Sequence, residues 1–324
     1  MELDKIAVLG PGGNVGSAVI TRLLRSWPGS DITAITRQTS SYSPPPDSGI
    51  LHTKADYESF DALVDAFAGQ DAVVNCITGI ATQYDPSKRI VDAAVAAGVN
   101  FFFANEFVAN MESEQARRLP ESHAGAKYRI REYLKELASE EKIAWTGLNG
   151  GPFFDMWLMK GPAGFDIANR RARIYGTGDN ILCWTPLPIM GLAVANMLRN
   201  PEPVTNRSIF ICPFSDLTQN KLLSNLEKVL GENFDAENVD VKKINKHARI
   251  ALERGEAAKA MKGLAVSNQF YEDDCGNDFR HLVENDLVGV EMMSVEHAVR
   301  DALERYGEDC KVVEALFKVD PCEI

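Results

Sequence analysis

The feature that most constrains this chain lies at its start, where an apolar segment, Lys5–Leu9, runs into three glycines spaced G-x-x-G-x-x-G. The glycines are Gly10, Gly13 and Gly16, and an amphipathic helical pattern begins near Asn14. This order predicts a strand, a tight turn and a helix whose free N–H groups suit a pyrophosphate. The first glycine permits the turn, the second leaves room for the phosphate, and the third lets helix and strand pack closely. The pattern therefore indicates dinucleotide binding.

Strand-like and helix-like segments alternate from Lys5 to about Phe107. The fourth predicted strand, Ala72–Ile77, is almost continuously apolar, which is typical of a parallel sheet covered on both faces. A long helical pattern over His123–Glu140 and a sixth strand over Ala144–Leu148 follow. This alternation predicts right-handed βαβ units and an α/β fold of the Rossmann type, with a doubly wound parallel sheet.

The pattern loosens after the sixth strand, and the last part of the chain is charged and rich in helical segments. We therefore expect a dinucleotide-binding Rossmann domain over residues 1–155. A smaller α+β domain, mainly for substrate binding, is expected over residues 156–324. A strand-like segment near residues 208–212 either belongs to this second domain or returns to the first one.

Composition excludes several classes of partner. The formal net charge of −12 argues against nucleic acid, which requires a dense basic face. No segment approaches the ~20 apolar residues of a membrane span, and the first strand begins too early for a signal peptide, so we expect a cytoplasmic protein. The six cysteines and five histidines show no metal-ligand spacing, so no metal site is expected.

The choice of cofactor depends on Arg37, which stands just past the second predicted strand, Asp31–Thr36. An NAD-binding fold places a carboxylate there, but the next carboxylate in this chain is Asp47. A guanidinium can pair with a 2′-phosphate through charge-assisted hydrogen bonds, so the sequence favours NADP(H). A solvated surface arginine is the alternative. Pro11 removes one N–H donor, which leaves phosphate contacts to later amides and to the Asn14 side chain.

The combination of these blocks resembles the NmrA-like and isoflavone-reductase-like families of atypical short-chain dehydrogenases/reductases. The resemblance covers much of the chain, and the order of the blocks is more specific than any one of them. Besides the glycine loop and Arg37, the matching blocks are Ala55–Asp71, Ile90–Val99, Asn105–Phe107, the K-x-x-[IV]-R helix Lys127–Arg131, Ile174–Gly178 and Thr218–Leu222.

The resemblance implies an NADPH-binding enzyme in which Lys127 acts near the nicotinamide and the substrate. Its ammonium can hydrogen-bond the ribose and supply charge or a proton where an oxyanion or imine nitrogen develops. The Tyr-x-x-x-Lys pair of better-known short-chain dehydrogenases is absent, and His123 stands four residues before Lys127. His123 shares a helix face with Lys127 and is a candidate proton donor. A histidine at the helix start without a catalytic role is the alternative.

Two sets of candidate site residues follow. We expect one set to bind the cofactor and the other, which is aromatic, to bind the substrate. The aromatic residues suggest a flat, aromatic or alkaloid-like substrate, and the alternative is that each of them belongs to the core. The candidate cofactor-binding residues are Gly10, Gly13, Asn14, Val15, Gly16, Arg37, Thr78, Gly79, Asn105, Glu106, Lys127 and Asn149. The candidate substrate-binding residues are Phe107, Phe153, Phe154 and Trp157.

The first functional hypothesis is an NADPH-dependent reductase that transfers hydride to a C=C, C=N or C=O bond of a small secondary metabolite. An isomerase or cyclase in which NADP(H) only orders the pocket is one alternative. A dinucleotide-sensing regulator of the NmrA type is another, but a lysine in its matched context favours the enzyme. A homodimer is left open.

Overall fold

The structure, a computed structural model, describes residues 1–119 and 125–324, the side chains of residues 80 and 81 excepted. Its strands, numbered in chain order, are β1 (Lys5–Leu9), β2 (Asp31–Arg37), β3 (Leu51–Ala55), β4 (Ala72–Asn75), β5 (Phe101–Ala104), β6 (Ala144–Asn149), β7 (Phe165–Asp166), β8 (Arg171–Tyr175), β9 (Arg207–Phe210) and β10 (Asp235–Val239). Within the described ranges, seven strands form one parallel sheet in the order β3-β2-β1-β4-β5-β6-β9. A smaller sheet has the order β10-β8-β7.

The α-helices of the same ranges connect and cover these strands. A short 3-10 helical turn, Gly79–Thr82, also follows β4. The helices are α1 (Asn14–Ser26), α2 (Phe60–Phe67), α3 (Tyr84–Ala96), α4 (Glu114–Arg118), α5 (Ala126–Ser139), α6 (Phe154–Lys160), α7 (Leu187–Arg199), α8 (Gln219–Leu230), α9 (Val241–Glu253), α10 (Ala257–Phe270), α11 (Val295–Tyr306) and α12 (Glu314–Phe317).

The large sheet is buried on both faces. The centre of one core contains Val19 of α1 and Val194 of α7, and the opposite core contains Phe67 of α2, Ile90 of α3 and Leu134 of α5. This burial explains why β5 is apolar along its whole length and β4 is apolar up to its last residue, Asn75, since a strand with two covered faces has no solvent side. The doubly wound parallel sheet predicted from the sequence is confirmed. The strand order reverses between β1 and β4, which opens a ligand crevice at their carboxyl ends.

The rest of the chain packs around a third core, to which Tyr175, Trp184, Phe270 and Phe279 contribute fully buried rings. The two parts of the chain are interleaved, because β9 pairs with β6 at the edge of the large sheet. Helix α7 likewise packs on α1. The division of the chain between residues 155 and 156 stays a prediction.

Two properties of the described residues bear on partners. No helix among them combines the length and the apolar character needed to cross a membrane. No group of three or more histidine, cysteine or acidic side chains in these ranges is arranged to hold a metal ion.

Candidate active site

The structure gives a different explanation for the presence of glycine at each of the three positions of the first loop. Gly10 has φ of +71°, and a Cβ there would lie 2.8 Å from the carbonyl oxygen of Cys76. A Cβ on Gly16 would lie 2.2 Å from the carbonyl oxygen of Gly10, so this glycine lets α1 pack against the loop. Gly13 precedes α1 in an extended conformation, and a Cβ there would lie 3.3 Å from the carbonyl oxygen of Gly10. The fold therefore requires glycine at positions 10 and 16, whereas a Cβ at position 13 would make one tight contact with the Gly10 carbonyl that a shift of a few tenths of an ångström relieves.

The loop borders an open cleft of about 680 Å³. The cleft lies where the carboxyl ends of β1, β2 and β4 meet, which is the ligand crevice of doubly wound sheets. Its volume lies within the roughly 300–1,000 Å³ that is usual for small-molecule and cofactor sites. Among the residues that line it are the predicted cofactor-binding residues Gly10, Gly13, Arg37, Thr78 and Gly79.

Arg37 supplies the charge of this nucleotide cleft. It is the last residue of β2, one position beyond the predicted end, and its exposed side chain lines the cleft. Its guanidinium has no hydrogen-bond or ion-pair partner within residues 1–119 and 125–324. Burial raises the pKa of Tyr57 and raises that of Cys76 to about 12, so these neighbours stay uncharged. The cleft therefore offers a free guanidinium, with no acidic residue in its described lining.

Lys127 lines a small space of about 10 Å³ beside the ends of β4 and β5. Its Nζ donates hydrogen bonds to the backbone oxygen of Glu106 at 2.7 Å and to Oδ1 of Asn105 at 3.2 Å. Asn105 in turn donates through Nδ2 to the backbone oxygen of Ile77 at 2.7 Å. Burial of the ammonium lowers the pKa of Lys127 to about 8, against the opposing effect of the Glu106 charge. The lysine is thus held by the Asn105–Glu106 segment, which Asn105 in turn links to Ile77, and its lowered pKa lies closer to neutrality than that of an ordinary lysine.

The Glu106 carboxylate belongs to an internal network. Arg131 donates to it through Nε at 2.6 Å and Nη2 at 2.7 Å, and both side chains are only 2% exposed. Asn149 donates to it at 2.6 Å and Ser208 at 3.1 Å. A Cβ on Gly147 would lie 2.4 Å from Glu106 Cδ, so this glycine makes room for the carboxylate. The network ties β5, β6 and β9 to α5.

This network changes the interpretation of two candidate residues. The Glu106 carboxylate and the Nδ2 group of Asn149 are engaged inside the protein, whereas Oδ1 of Asn149 is buried without a hydrogen-bond partner among the described residues. Their cofactor contacts stay predictions. Arg131, which binds the Glu106 carboxylate, is not among the candidates of the sequence analysis. The available signal was the K-x-x-[IV]-R spacing, which puts Arg131 four residues after Lys127 on the same face of α5.

Three other candidates lie away from the nucleotide cleft. The Val15 side chain is buried in the core under α1. The Asn14 side chain lines a different groove, between α1 and α11. Gly16 acts through helix packing, as described above. His123 lies outside the described residues, so its predicted role stays a prediction.

An apolar pocket of about 220 Å³ is lined by Phe107, Phe153 and Trp157, which are three of the four predicted substrate-binding residues. That this pocket binds the substrate stays a prediction. Phe107 follows the carbonyl that accepts from Lys127, and its φ of +39° turns the chain from the space beside Lys127 to this pocket. Phe154 does not line the pocket: its ring is fully buried and packs against Phe214 in a tilted arrangement with centroids 5.1 Å apart. The structure therefore moves Phe154 from the predicted pocket wall into the core.

Comparison with known proteins agrees with this geometry. Residues 2–160 match the sequence profile of the NmrA-like family. Oxidoreductase aprR of Aspergillus flavus is 30% identical over 249 residues, which cover 77% of this chain and 80% of that protein. The isoflavone reductase homolog IRL of Zea mays is 28% identical over 252 residues, which cover 74% of this chain and 78% of that protein.

Solved structures share the fold at lower identity. The Citrobacter sp. triphenylmethane reductase complexed with NADP(H) superposes with a TM-score of 0.67 at 22% identity. The superposition covers 92% of this chain and 100% of that chain. This likeness shows the shared fold. The matching profile and the Aspergillus and Zea mays relatives show the family: the chain belongs to the NmrA-like, isoflavone-reductase-like proteins.

Proposed function

We propose that this protein is an NADPH-dependent reductase of a small, largely aromatic molecule. The observation that carries the proposal is the position of Lys127 between two cavities. Through Asn105 it is linked to Ile77, which lines the nucleotide cleft, and through the Glu106 carbonyl it adjoins Phe107, which lines the apolar pocket. A cation at that junction can serve a reaction between a nucleotide and an apolar substrate.

The residues of the nucleotide cleft fit NADPH. Gly13 leaves open the space that a pyrophosphate needs, and Arg37 presents an unpaired guanidinium suited to a 2′-phosphate. The NADP(H) bound to the Citrobacter reductase, which shares the fold, supports the same choice. When bound, NADPH supplies the hydride. Every other part of the reaction falls to groups of the chain.

Lys127 would provide the proton or the compensating charge. Because its pKa is about 8, it is mostly protonated at neutral pH and still able to release a proton. Its ammonium can donate to an oxygen or nitrogen on which negative charge develops during reduction of C=O, C=N or a conjugated C=C bond. The hydrogen bonds to Asn105 and the Glu106 backbone hold the group in place before the substrate arrives.

The apolar pocket defines the substrate class. Aromatic and aliphatic side chains such as Phe153, Trp157 and Met111 dominate its wall, so the pocket favours flat, apolar molecules and excludes water. NADPH oxidation, followed by absorbance against a panel of aromatic ketones, imines and enones, tests the proposal. Turnover of at least one class supports the reductase. Tight NADPH binding without turnover of any class would favour a dinucleotide-sensing regulator instead.

Cofactor selection should depend on Arg37. Replacing Arg37 with alanine should weaken NADPH binding about ten- to a hundredfold and leave NADH binding unchanged, because a hydrogen bond to a charged group contributes ~1.5–3 kcal/mol. Calorimetric titration of both cofactors measures the difference. Arg254→Ala, which removes an exposed arginine at the end of α9, is the matched control and should change neither affinity. Equal affinity for NADPH and NADH in the unmodified protein would contradict the assignment.

The second glycine of the loop should matter for binding rather than for folding. Gly13→Val should fold normally but lose at least about tenfold in NADPH affinity, since ~1.4 kcal/mol of steric conflict suffices for that factor. Gly16→Ala should instead lower the unfolding temperature, because its Cβ would meet the Gly10 carbonyl. Gly29→Val, where no atom lies within 4 Å, is the control for both. Unchanged NADPH affinity in Gly13→Val would reduce the loop to a structural turn.

The pH dependence of the reaction should follow Lys127. The reactive form is the ammonium, which is present below its pKa of about 8 and lost above it. We therefore expect kcat/KM to be level at neutral pH and to fall above about pH 8. In Lys127→Arg the guanidinium stays protonated over this range, so any residual activity should lose this alkaline limb. An identical alkaline limb in Lys127→Arg would assign the titration to another group.

A further inference from the structure

A second groove lies beside α1, away from the nucleotide cleft. It has a volume of about 380 Å³ and runs from Asn14 along the face of α1 that carries Arg22 and Arg25. The end of α11, with Arg305 and Tyr306, closes it on the other side. We call it the arginine groove. It shares no lining residue with the nucleotide cleft.

The charge of the arginine groove is unbalanced. Nε of Arg22 is buried without a hydrogen-bond partner in the described part of the chain. Arg25 is exposed, and the described residues offer its guanidinium no ion pair. None of the described lining residues is acidic. In a protein whose net charge is −12, the guanidinium groups of Arg22 and Arg25, which have no carboxylate partner among the described residues, give this groove a positive charge.

Arg305 is held in a fixed position at this site. Its Nη1 donates to Oδ2 of Asp155 at 2.6 Å, and Asp155 is fully buried. That carboxylate is also engaged by the backbone N–H groups of Met156 and Leu187, so it anchors the arginine from behind. An anchored guanidinium loses little freedom when its remaining N–H groups bind a ligand.

Two arginines of the groove, Arg22 and Arg25, have N–H groups without an acceptor among the described residues. A buried N–H without a partner, such as that of Arg22, is destabilising unless a bound group accepts from it. Guanidinium groups match the planar or tetrahedral oxygens of carboxylates and phosphates, and the volume exceeds what one inorganic ion would occupy. We propose that the arginine groove binds a small organic oxyanion, bearing phosphate or carboxylate groups, at a site separate from the nucleotide cleft.

The proposal is tested by calorimetric titration of inorganic pyrophosphate and, separately, of citrate in HEPES buffer. The protein is first saturated with NADPH, which occupies the nucleotide cleft, and the titrations are repeated on Gly13→Val, which impairs that cleft. We expect one anion per chain to bind in both preparations, more weakly as NaCl is added. The anion with the higher affinity identifies phosphate or carboxylate as the recognised group.

Variants locate the site. Arg22→Gln and Arg25→Gln should each weaken binding by about tenfold, as expected for a lost charge-assisted contact. Arg199→Gln, at the exposed end of α7, is the matched control and should bind normally. If the partly buried Arg22 position does not tolerate glutamine, the exposed Arg25→Glu variant carries the test and should abolish binding. Absence of binding by both anions, loss of binding once NADPH is present, or normal binding in the Arg25 variants would overturn the proposal.

Discussion

Replacing Lys127 with methionine should lower the turnover number by roughly 10²–10⁴-fold, the usual contribution of a positioned proton donor. Methionine keeps the length and helix propensity of the side chain, so α5 should remain intact. NADPH affinity should change far less than turnover, because Arg37 and the glycine loop lie in a different cavity from Lys127. Steady-state kinetics on an established substrate and calorimetric NADPH titration separate the two effects.

The control for this prediction lies on the same helix. Lys135 is about half exposed and pairs with Glu132 at 2.8 Å on the surface of α5. Lys135→Met removes an identical charge from the same element and should leave turnover unchanged. A normal rate in Lys127→Met would remove the reductase mechanism and leave either chemistry by other groups or a dinucleotide sensor as the better account.

Much of the fold was predictable because its signals are local. The glycine spacing before α1, the unbroken apolar run of β4 and the helical periodicity between strands all lie within short segments. The spacing of hydrophobic residues along the sequence distinguishes helices from strands. The right-handed connection of parallel βαβ units then allows only a few topologies for these elements. The nucleotide cleft followed for the same reason, since the carboxyl ends of parallel strands share one edge of the sheet.

The interior of the site was less predictable because its partners are distant in sequence. Glu106 is bound by Asn149 and Ser208, which lie 43 and 102 residues further along the chain. No local sequence pattern predicts a contact between residues so far apart in the chain. Phe153 and Phe154 are neighbours in sequence, yet one lines the apolar pocket and the other packs in the core. Which ring turns outward depends on how α6 packs, and composition alone does not contain that information.

The Glu106–Arg131 pair should have the largest effect on stability. Arg131→Met would leave a buried carboxylate without its bidentate partner, and breaking a buried pair from one side typically costs ~3–5 kcal/mol. Chemical denaturation, followed by circular dichroism, measures the loss. The surface pair Arg207–Glu284 provides the control: its side chains are partly exposed, so Arg207→Met should cost at most ~1 kcal/mol.

A double variant shows whether the pair only holds the fold or also positions Lys127. Glu106→Gln combined with Arg131→Met removes both charges, so it should recover part of the stability lost in Arg131→Met alone. It should not recover full turnover, because the backbone oxygen that accepts from Lys127 belongs to residue 106, and the side chain of that residue is no longer held by the Arg131 guanidinium. Full activity in the stability-recovered double variant would restrict the network to a structural role. Low turnover in that folded variant would identify Arg131 as a positioning residue, which orients the Lys127 ammonium through Glu106.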